Sequence, residues 1–458
     1  RVISAVNRSQ AIPEEAELMP DSLDVIYDSP RRRLLIANGE SGAAIMKGAD
    51  AGVTGLFVDF KGRQPSRGAP TTRVVPAGTA LWSLSSTFAP LPAPPGGCVS
   101  ALAAVSVGGT ISLVDARVET DPLLVRTVAT SEAPTGATLW GNRLVAVTGH
   151  QTAIKYNRCG LTPPSPPDWS ARSPRTDFTI REPGIPLDPS GSLLVYDSLT
   201  SDPTLVGQLA LPYSLNDVTM VGDVAIVAAY PLGLLFVDLS DPSQPTELAR
   251  LQFDTTLSNT PGVPERLRVY GNLLFVAAGS GGPVVVDITD LSAPRVISAG
   301  NDEAARDVLP TEERLYTASG TDRGVIEYAM PFTFVRGVSP GRSSIVPTGI
   351  SPIVVTLSRP VSEPSVNAAT VWLDSPSGPV PTTITVNNDF GRHAFEVVLT
   401  PVSPLPASTQ FTVHATTAVA DQRGGGLLLP FESTFATAPA GARQPVLVST
   451  HPAWIPTT

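Results

Sequence analysis

The chain has 458 residues, of which 42% are hydrophobic and 16% are charged, so it is long enough for two or more separately packed units. Its net charge of −10 at pH 7 argues against nucleic acid or an anionic membrane as a partner, since both select a basic surface. Abundant Pro and Gly, 47 and 38 residues, favour short strands and tight turns over long helices. No apolar run reaches the length of a membrane-spanning helix, so we expect no membrane insertion in this segment.

Groups of alternating apolar runs recur along most of the chain and define a repeated unit. The two clearest copies begin at Asn216 and Glu265, and they align so that Asp238 matches Asp287. Each copy has four runs separated by Gly, Asn, Asp or Pro turns, which is the pattern of an antiparallel meander. Weaker copies raise the number of units to six, and a seventh between Gly141 and Gly222 is the alternative. In chain order, the other units are marked by Leu23, Asp115, Gly136 and Arg306.

An Asp follows the third run of most units. We interpret this Asp as a turn former that accepts hydrogen bonds from nearby backbone N–H groups, and not as part of a ring of acids. The sixth unit has Tyr328 at the corresponding position. The Asp positions are Asp59, Asp115, Asp197, Asp238 and Asp287.

The two ends of the repeat complement each other. The sixth unit supplies three runs before the sequence changes at Pro331, so its sheet lacks an outermost strand. Arg1–Ala5 has the same sequence, RVISA, as Arg295–Ala299, the outermost run of the fifth unit. A ring of about four to eight four-stranded sheets is a β-propeller, and such a ring must close. We therefore predict a six-bladed β-propeller over residues 1–335 that Arg1–Ala5 closes; a remnant of a truncated repeat is the alternative for this segment.

Two long interruptions of the repeat are the candidate binding loops, because long loops on a compact scaffold usually bind a partner or are disordered. They extend from about Ser86 to Gly97 and from about Gly149 to Gly191. Cys98 ends the first and Cys159 lies in the second, so we predict a disulfide between them; two inert buried thiols are the alternative. The side chains that we expect to contact a partner are Trp169, Arg172, Arg175, Phe178 and Arg181.

A second domain follows the repeat. About seven alternating runs within roughly one hundred residues predict an Ig-like β-sandwich over residues 336–440. We expect residues 441–458 to form a linker and the start of a further Ig-like module. The predicted fold class is therefore all-β, and we expect the chain to be a segment of a longer modular protein.

Several segments resemble known bacterial families. The run GLLFVDLSDPSQP, residues 233–245, resembles the LVIVD-type repeat of bacterial surface and secreted β-propellers. The succession of VSP, IVVTLSRPV and FESTFAT between residues 338 and 437 resembles the bacterial Ig-like domain of S-layer and other surface proteins. QPVLVSTHPAWIPTT, from Gln444, is similar to the first strand of an IPT/TIG module. These resemblances imply a propeller followed by Ig-like modules in an extracellular setting, and they fix no catalytic residues.

The short motifs of the chain do not support catalysis. GVSPG, from Gly337, matches the nucleophile elbow, but Pro340 after Ser339 lacks the N–H that an oxyanion hole needs. We expect no cofactor, although structural Ca²⁺ at Asp389 or Asp421 stays open. Metal-ligand spacing is missing among His150, His393, His414 and His451.

We expect a non-enzymatic adhesion, recognition or assembly segment of a larger bacterial surface protein, located at the cell surface or outside the cell. Its partner would be a protein or a glycan on a surface. One alternative is a carbohydrate-active propeller hydrolase or lyase with an accessory Ig-like domain. This alternative needs two or more carboxylates at the centre of the ring, which the turn Asp residues cannot supply. The other is a filament or sheath subunit, whose neighbours would cover an exposed apolar patch or pair with a free strand.

Overall fold

The computed structural model describes a large part of the chain. It is all-β, and 34 strands form eight sheets within the described residues. The described residues are 24–28, 31, 33–37, 42–47, 59–64, 69–90, 101–156, 178–181, 190–197, 203–253, 262–300, 304–318, 325–350 and 352–441.

Six of the eight sheets follow one another in chain order and form the predicted six-bladed β-propeller. Each blade is an antiparallel meander, and the first strands of blades 1 to 5 line the axis. Within the described residues, five blades have at least four strands and the sixth has three. Blade 1 contains β1 (Asp24–Asp28), β2 (Arg33–Ala37), β3 (Ala43–Lys47) and β4 (Asp59–Gln64). Blade 2 contains β5 (Thr71–Ala77), β6 (Ala80–Pro90), β7 (Ala101–Asp115) and β8 (Leu123–Thr130). Blade 3 contains β9 (Ala133–Trp140), β10 (Arg143–Gly149), β13 (Gly191–Asp197) and β14 (Thr204–Leu211), and β11 (Thr152–Tyr156) and β12 (Phe178–Arg181) lie between β10 and β13 in the chain. Blade 4 contains β15 (Ser214–Val221), β16 (Val224–Tyr230), β17 (Gly233–Asp238) and β18 (Thr246–Gln252). Blade 5 contains β19 (Arg266–Tyr270), β20 (Leu273–Ala277), β21 (Pro283–Asp287) and β22 (Arg295–Ala299). Blade 6 contains β23 (Asp307–Pro310), β24 (Arg314–Ala318) and β25 (Val325–Ala329).

Apolar cores fill the spaces between neighbouring blades. Most middle strands are buried on both faces, so their sequences are nearly continuous apolar runs, such as VAIVAAY in β16. Successive side chains of a strand point to opposite faces. In β16, Ala225 and Val227 therefore pack against blade 3, whereas Ile226 and Ala228 pack against blade 5. Each middle strand of blades 2 to 5 thus belongs to two cores at once.

Glycine turns join the first and second strands of blades 4 and 5. Gly222 and Gly271 have φ values of 60° and 67°, which lie in the left-handed region where a side chain costs free energy. Gly-Asp and Gly-Asn turns of this kind suit tight antiparallel hairpins. The matched glycines of the repeat are therefore required by backbone conformation.

The meander gives the propeller two faces. The face that we name the lower face carries the turns between first and second strands and between third and fourth strands. The opposite face, the upper face, carries the connections between second and third strands and the starts of the innermost strands. The turns at Gly78, Gly141, Gly222, Gly271 and Glu312 define the lower face, and the connections over residues 90–101, 149–191, 230–233 and 277–283 define the upper face.

The two predicted interruptions of the repeat both leave the upper face, and they are partly strands. β6 continues to Pro90, and β7 begins at Ala101, so the hairpin of blade 2 extends well beyond its blade. β11 pairs with the first part of β7, and β12 pairs with β11. The prediction of loops was therefore wrong for these strand ranges, because apolar alternation on either side of the Pro-rich segments is long enough to continue the ladder.

Blade 1 and blade 6 differ in detail from the predicted repeat. The third strand of blade 1 is β3, and Asp59 begins the fourth strand instead of ending the third. In blade 6, pairing places Ala329 opposite the first residue of the second strand, as Asp287 is placed in blade 5. Ala329, and not Tyr328, therefore occupies the Asp position. The interval between Gly141 and Gly222 holds strands of blade 3 and the inserted strands, so the described residues contain no seventh blade there.

Two further sheets pack face to face and confirm the predicted Ig-like β-sandwich. Their facing side chains form one apolar core that includes Val355, Val397, Phe411 and Phe435. The first sheet contains β26 (Val335–Ser339), β28 (Ile353–Leu357), β32 (Ala394–Pro401) and β31 (Thr382–Asp389). The second contains β27 (Ile345–Val346), β34 (Phe431–Thr437), β33 (Gln410–Ala415), β29 (Val371–Ser375) and β30 (Gly378–Val380).

The Ig-like domain packs on the lower face of the propeller. Phe334 and Leu429 of the Ig-like domain join the apolar core of blades 5 and 6. Arg336 forms an ion pair with Glu312 in the first turn of blade 6. Gly271 lies so close to the Ig-like domain that a Cβ there would be 1.5 Å from the carbonyl oxygen of Val335. The two domains are therefore in direct contact.

Candidate functional site

Equivalent positions of the six innermost strands carry mostly charged residues. Each of these residues lies opposite the fifth residue of the second strand of its blade, as Asp217 lies opposite Ala228 and Asp307 lies opposite Ala318. We call these six positions the axial ring. The axial ring consists of Asp24, Arg73, Gly136, Asp217, Arg266 and Asp307.

The axial ring surrounds a central channel. The channel has a volume of about 560 Å³, and the innermost strands of blades 1 to 5 form its wall. All ring residues except Asp307 line it, and Arg268 adds a further charge. In each of blades 1 to 5 the ring residue is the first channel-lining residue along its strand, so the charged end of the channel is on the side of the upper face, where β11 and β12 lie.

Hydrogen bonds at the axis join blades 1 to 4 in sequence. The backbone N of Val74 donates to Asp24 Oδ2 at 3.3 Å, which joins blades 1 and 2. Arg73 Nε donates to the carbonyl oxygen of Thr135 at 2.8 Å, which joins blades 2 and 3. Thr135 Oγ1 in turn donates to the carbonyl oxygen of Leu215 at 2.6 Å, which joins blades 3 and 4. The axial groups therefore stabilise the ring as well as lining it.

Charged groups continue this series to blade 6. The backbone N of Leu267 donates to Asp217 Oδ2 at 2.9 Å, which joins blades 4 and 5. Arg268 Nη2 lies 3.3 Å from Asp307 Oδ1, which joins blades 5 and 6. Arg268 Nη1 also lies 3.8 Å from Asp217 Oδ2, so this guanidinium interacts with carboxylates of both neighbouring blades.

The channel changes the proton affinity of its ionisable groups. Burial raises the pKa of Asp217, although Arg73 and Arg268 oppose the increase. Burial also raises the pKa of Asp24, where Arg73 opposes the increase and the Asp307 carboxylate adds to it. Burial acts to lower the pKa of Arg268, but the surrounding carboxylates, Asp307 first, outweigh it and the net pKa is raised. Asp24 and Asp217 therefore hold a proton more readily than an ordinary Asp does.

Gly136 is the uncharged member of the axial ring, and it makes room for Asp217. A Cβ at Gly136 would lie 2.8 Å from Asp217 Cα and 2.9 Å from Asp217 Oδ1. These distances are too short for non-bonded atoms, so any larger residue at this position would displace the carboxylate. The position of Asp217 therefore depends on a glycine in the preceding blade.

A second polar group lies on the upper face of blade 3. Ser190 Oγ donates to Glu132 Oε1 at 3.2 Å and lies 3.3 Å from His150 Nε2. Thr148 Oγ1 donates to the other carboxylate oxygen of Glu132 at 2.5 Å. In a catalytic triad, the carboxylate orients the His, and the His activates the Ser. Here the carboxylate contacts the Ser and the Thr instead, and the His ring contacts the Ser.

The repeated Asp residues lie on the lower face, away from the axial ring. Three of them accept a hydrogen bond at Oδ1 from the backbone N of the second following residue, at 2.8 to 2.9 Å. This is the turn geometry that we predicted, and it is confirmed at Asp115, Asp238 and Asp287. Asp197 ends the third strand of blade 3 as predicted and lies 3.7 Å from Arg143 Nε.

The predicted binding loop is described only in part. Phe178 and Arg181 are the first and last residues of β12, on the upper face. Trp169, Arg172, Arg175 and the two cysteines, Cys98 and Cys159, lie outside the described residues. The contribution of these side chains to binding, and the disulfide, therefore stay predictions.

The two possible Ca²⁺ ligands of the Ig-like domain, Asp389 and Asp421, accept hydrogen bonds within the domain. Asp389 Oδ1 accepts hydrogen bonds from the backbone N of Gly391 and of Arg392, each at 3.0 Å. Asp421 Oδ2 accepts from Thr333 Oγ1 at 2.7 Å, and its Oδ1 accepts from two backbone N–H groups. Hydrogen bonding to the carboxylate outweighs the effect of burial and lowers the pKa of Asp421. These contacts account for both carboxylates without a metal ion, and Ca²⁺ at either position stays a prediction.

Ser339 and the histidines of the Ig-like domain form no nucleophilic arrangement among the described residues. Ser339 is exposed at the end of β26, and a turn follows it. His414 stacks on Trp372 with ring centroids 4.7 Å apart, and its Nδ1 lies 3.1 Å from Glu432 Oε1. His393 is mostly exposed. His451 lies outside the described residues.

No three His, Cys, Asp or Glu side chains in the described part of the chain converge as metal ligands would. No helix in it combines the length and the apolar character that crossing a bilayer requires.

Sequence reasoning missed the axial ring, although part of its pattern is visible in the sequence. Three innermost strands carry the dipeptide Asp-Val at the ring position, at Asp24, Asp217 and Asp307. Aligning the first strands of the six units, and not only the third strands, shows these repeated Asp residues. The carboxylates at the centre of the ring, which the turn Asp residues cannot supply, come from this first strand.

Family models match two parts of the chain. The LVIVD repeat model matches residues 214–252 and 261–301, which contain blades 4 and 5. The bacterial Ig-like domain model, Big_5, matches residues 331–437. The chain therefore contains LVIVD repeats followed by a bacterial Ig-like domain, as the resemblances predicted. Neither match extends to the IPT/TIG-like segment from Gln444, which lies outside the described residues.

Three solved structures are similar to this chain at low sequence identity. The Cps50 (Swd1) β-propeller domain of Myceliophteria thermophila is 13% identical, with a TM-score of 0.43 over 68% of this chain and 82% of that chain. BamB of Moraxella catarrhalis is 12% identical, with a TM-score of 0.34 over 67% and 81%. PorZ of Porphyromonas gingivalis is 11% identical, with a TM-score of 0.38 over 91% of this chain and 51% of that chain. No curated protein matches the chain, and similarities of this size carry no argument about function.

Proposed function

We propose that this chain is an extracellular recognition segment of a modular bacterial surface protein, in which the upper face of the propeller binds a protein or a glycan. The observation that carries the proposal is the separation of the two faces. The inserted strands and the charged part of the channel are on the upper face, whereas the Ig-like domain packs on the lower face. A rigid β module on the far side of a binding face presents that face to a partner.

The chemistry of the upper face suits a polar partner. The channel offers carboxyl groups from Asp24 and Asp217 beside guanidinium groups from Arg73 and Arg268. A ligand with both donors and acceptors, such as the hydroxyl groups of a sugar or a polar peptide loop, matches this mixture better than a polyanion or a polycation does. The inserted strands enlarge the surface around the channel and supply area for a larger partner.

The lower face supports a fixed orientation between the domains. Arg342 Nη2 donates to the carbonyl oxygen of Thr289 in blade 5 at 3.0 Å and to the carbonyl oxygen of Glu432 at 3.1 Å. Arg359 Nη2 donates to the carbonyl oxygen of Met330 at the end of blade 6 at 2.9 Å. These bonds join the propeller to the Ig-like domain at more than one point, so the upper face would keep a constant direction relative to the modules that follow.

Binding arrays with matched variants test this proposal. The purified chain is applied to immobilised bacterial and host surface glycans and to immobilised cell-surface proteins. One variant replaces residues 157–177 with a short Gly-Ser linker, and the matched lower-face variant is Arg342→Ala. We expect the first variant to lose binding and the second to keep it. Full binding by the first variant, or binding by the Ig-like domain alone, would contradict the proposal.

A second candidate function is cleavage of a carbohydrate by a hydrolase or lyase reaction. The carboxyl groups of the axial ring favour this function. A general acid must hold its proton near neutral pH, and burial raises the pKa of Asp24 and of Asp217, which is the direction that this role needs. Incubation with a panel of polysaccharides, followed by measurement of new reducing or unsaturated ends, tests it. Asp217→Asn should abolish any such activity, and the turn variant Asp241→Asn should retain it. Absence of turnover across the panel would contradict this second function.

A further inference from the structure

The outer edges of the sheets differ in how well they are protected against pairing with another chain. An edge strand presents free backbone N–H and C=O groups, and proteins protect such edges with β-bulges, charged side chains, Pro or a short strand. The fourth strands of blades 1 to 5 each have a register shift that inserts one extra residue, in β4, β8, β14, β18 and β22. A bulge of this kind bends the edge, so a straight partner strand cannot pair along it.

Most of the other described edges are short or bulged. β12, β30 and β27 have four, three and two residues. β26 has a register shift against β28. The prediction of ring closure assigns the outer side of β25 to Arg1–Ala5, which lies outside the described residues.

β31 of the Ig-like domain is an outer edge strand without these protections. In the described part of the chain it is the last strand of its sheet, and it spans eight residues, Thr382–Asp389. All eight residues pair with β32 without a register shift. Residues 382–388, TTITVNN, contain no charged residue and no Pro. β31 is therefore a long, regular edge with which another strand can pair.

The sequence of β31 is suited to pairing with itself. Ile384 and Val386 face the apolar core of the sandwich and are only partly buried. Thr383, Thr385 and Asn387 are exposed on the other face of the sheet, because successive side chains alternate between the faces. In an antiparallel pair centred on Thr385, Ile384 lies opposite Val386 of the second copy. Thr383 then lies opposite Asn387 of the second copy, so each face meets side chains of its own kind.

We propose that two copies of this chain associate through β31, as an antiparallel pair centred on Thr385. The pair joins two four-stranded sheets into one continuous sheet and covers the partly exposed Ile384 and Val386 of both copies. Asp389 lies opposite Pro381, so no like charges face each other. A two-fold axis through Thr385 makes the interface self-complementary and closes the assembly at two copies. This association does not depend on binding at the upper face.

The propeller leaves this edge free. β26, whose Val335 contacts Gly271 of blade 5, is at the opposite edge of the same sheet. The end of β31 at Asp389 lies towards the propeller, because His393 in the following turn is 3.9 Å from Glu312. An antiparallel partner therefore has its own propeller at the opposite end of the joined sheet. The two propellers occupy different space, and their upper faces remain uncovered.

Sedimentation equilibrium of the whole chain tests the proposal. An interface of one strand pair buries less than the roughly 1,200 Å² of a standard interface, so we expect a weak dimer that forms over roughly 10–500 μM. Thr385→Lys sets two like charges opposite each other at the two-fold axis and should weaken dimerisation at least about tenfold. The control is Thr400→Lys on β32, which adds the same charge to the same face opposite Thr383. It should leave dimerisation unchanged.

Cysteine cross-linking tests the register. The background is the double variant Cys98→Ser with Cys159→Ser, and copper phenanthroline is the oxidant. Thr385→Cys should form a covalent dimer, because the two thiols face each other across the two-fold axis. Thr383→Cys should not, because its thiol lies opposite Asn387. Thr383→Cys combined with Asn387→Cys should restore the covalent dimer.

Three results would overturn the proposal. One is an unmodified chain that stays monomeric over the whole concentration range, including a chain whose β31 pairs only with a strand of another protein. The second is equal dimerisation of Thr385→Lys and Thr400→Lys. The third is a covalent dimer from Thr383→Cys alone, which contradicts the register. If Thr385→Lys does not fold, the cross-linking of Thr385→Cys decides, and its absence overturns the proposal.

Discussion

Tyr156 of β11 lies directly opposite Ala101 of β7, at the end of an antiparallel ladder without a register shift. In the sequence, Cys159 follows Tyr156 by three residues and Cys98 precedes Ala101 by three. Both cysteines lie outside the described residues. The ladder therefore sets side by side the two described strands that are nearest in sequence to the cysteines.

We predict that Cys98 and Cys159 form a disulfide in the native protein. Alkylation without prior reduction, followed by mass spectrometry, should find no modified cysteine. Reduction should lower the free energy of unfolding by about 2–4 kcal/mol, since the bond closes a long loop. The double variant Cys98→Ser with Cys159→Ser serves as the control and should be insensitive to reductant. Two alkylated thiols in the unreduced protein would contradict the pairing.

Asp217 should make the propeller less stable as pH rises. Burial raises its folded-state pKa above the ordinary value of 3.8, so the folded state keeps a proton that the unfolded state has already lost. The resulting stabilisation is complete below pH 3.8 and is lost as pH rises through the folded-state pKa. Its slope is about 1.4 kcal/mol per pH unit. Asp217→Asn should remove this slope, as measured by urea unfolding between about pH 4 and pH 7.

An exposed turn residue provides the control for this pH dependence. Hydrogen bonds from Ser243 lower the pKa of Asp241, so its contribution is present above pH 3.8 and is lost as pH falls. Asp241→Asn should therefore leave the slope above about pH 4 unchanged. An equal slope in Asp217→Asn and the unmodified chain would show that Asp217 is not the group responsible.

Gly136→Ala should destabilise the propeller by about 1–3 kcal/mol, the usual cost of overpacking a closed site. The added Cβ would meet the backbone and the carboxylate of Asp217 at less than 3 Å. The measurement is chemical denaturation of the purified variant. Gly337→Ala, where nothing lies within 4 Å of the added Cβ, is the control and should change stability by less than about 0.5 kcal/mol. Equal effects of the two substitutions would contradict the close packing at the axis.

Gly271→Ala and Gly141→Ala form a pair that isolates the contact between the domains. Both glycines have positive φ, 67° and 57°, so both variants should lose roughly 1–2 kcal/mol from backbone strain. Nothing lies within 4 Å of a Cβ at Gly141, whereas a Cβ at Gly271 would clash with the carbonyl oxygen of Val335. Gly271→Ala should therefore also displace the Ig-like domain, seen as a second calorimetric transition and faster proteolysis near Pro331. Identical behaviour of the two variants would contradict the docked arrangement.

The blades were predictable from the sequence because their signals are local. A turn such as Gly222 imposes its own backbone conformation, and a middle strand such as β16 is apolar over its whole length because both of its faces are buried. Each of these features can be recognised from the residue types within a short stretch of sequence. The six units and their order could therefore be found by aligning the chain with itself.

The axial ring and the strand choice in blade 1 depend on contacts between distant residues. Arg73 donates to Thr135 in the next blade, and no pattern within one unit indicates that these two residues meet. Blade 1 contains two apolar runs, AAIMK and GLFVD, that both resemble a third strand. Pairing with β2 selects the first of them, and Asp59 consequently starts a different strand.

The lower face determines how the molecule would carry a pulling force. Gly222 in blade 4 lies beside Ser343, Thr289 in blade 5 accepts a hydrogen bond from Arg342, and Glu312 in blade 6 pairs with Arg336. Tension applied through the Ig-like domain would therefore enter the propeller through three blades together. The peptide that follows β25 would bear only a fraction of it, so the sheet of blade 6 would be shielded from being peeled away strand by strand.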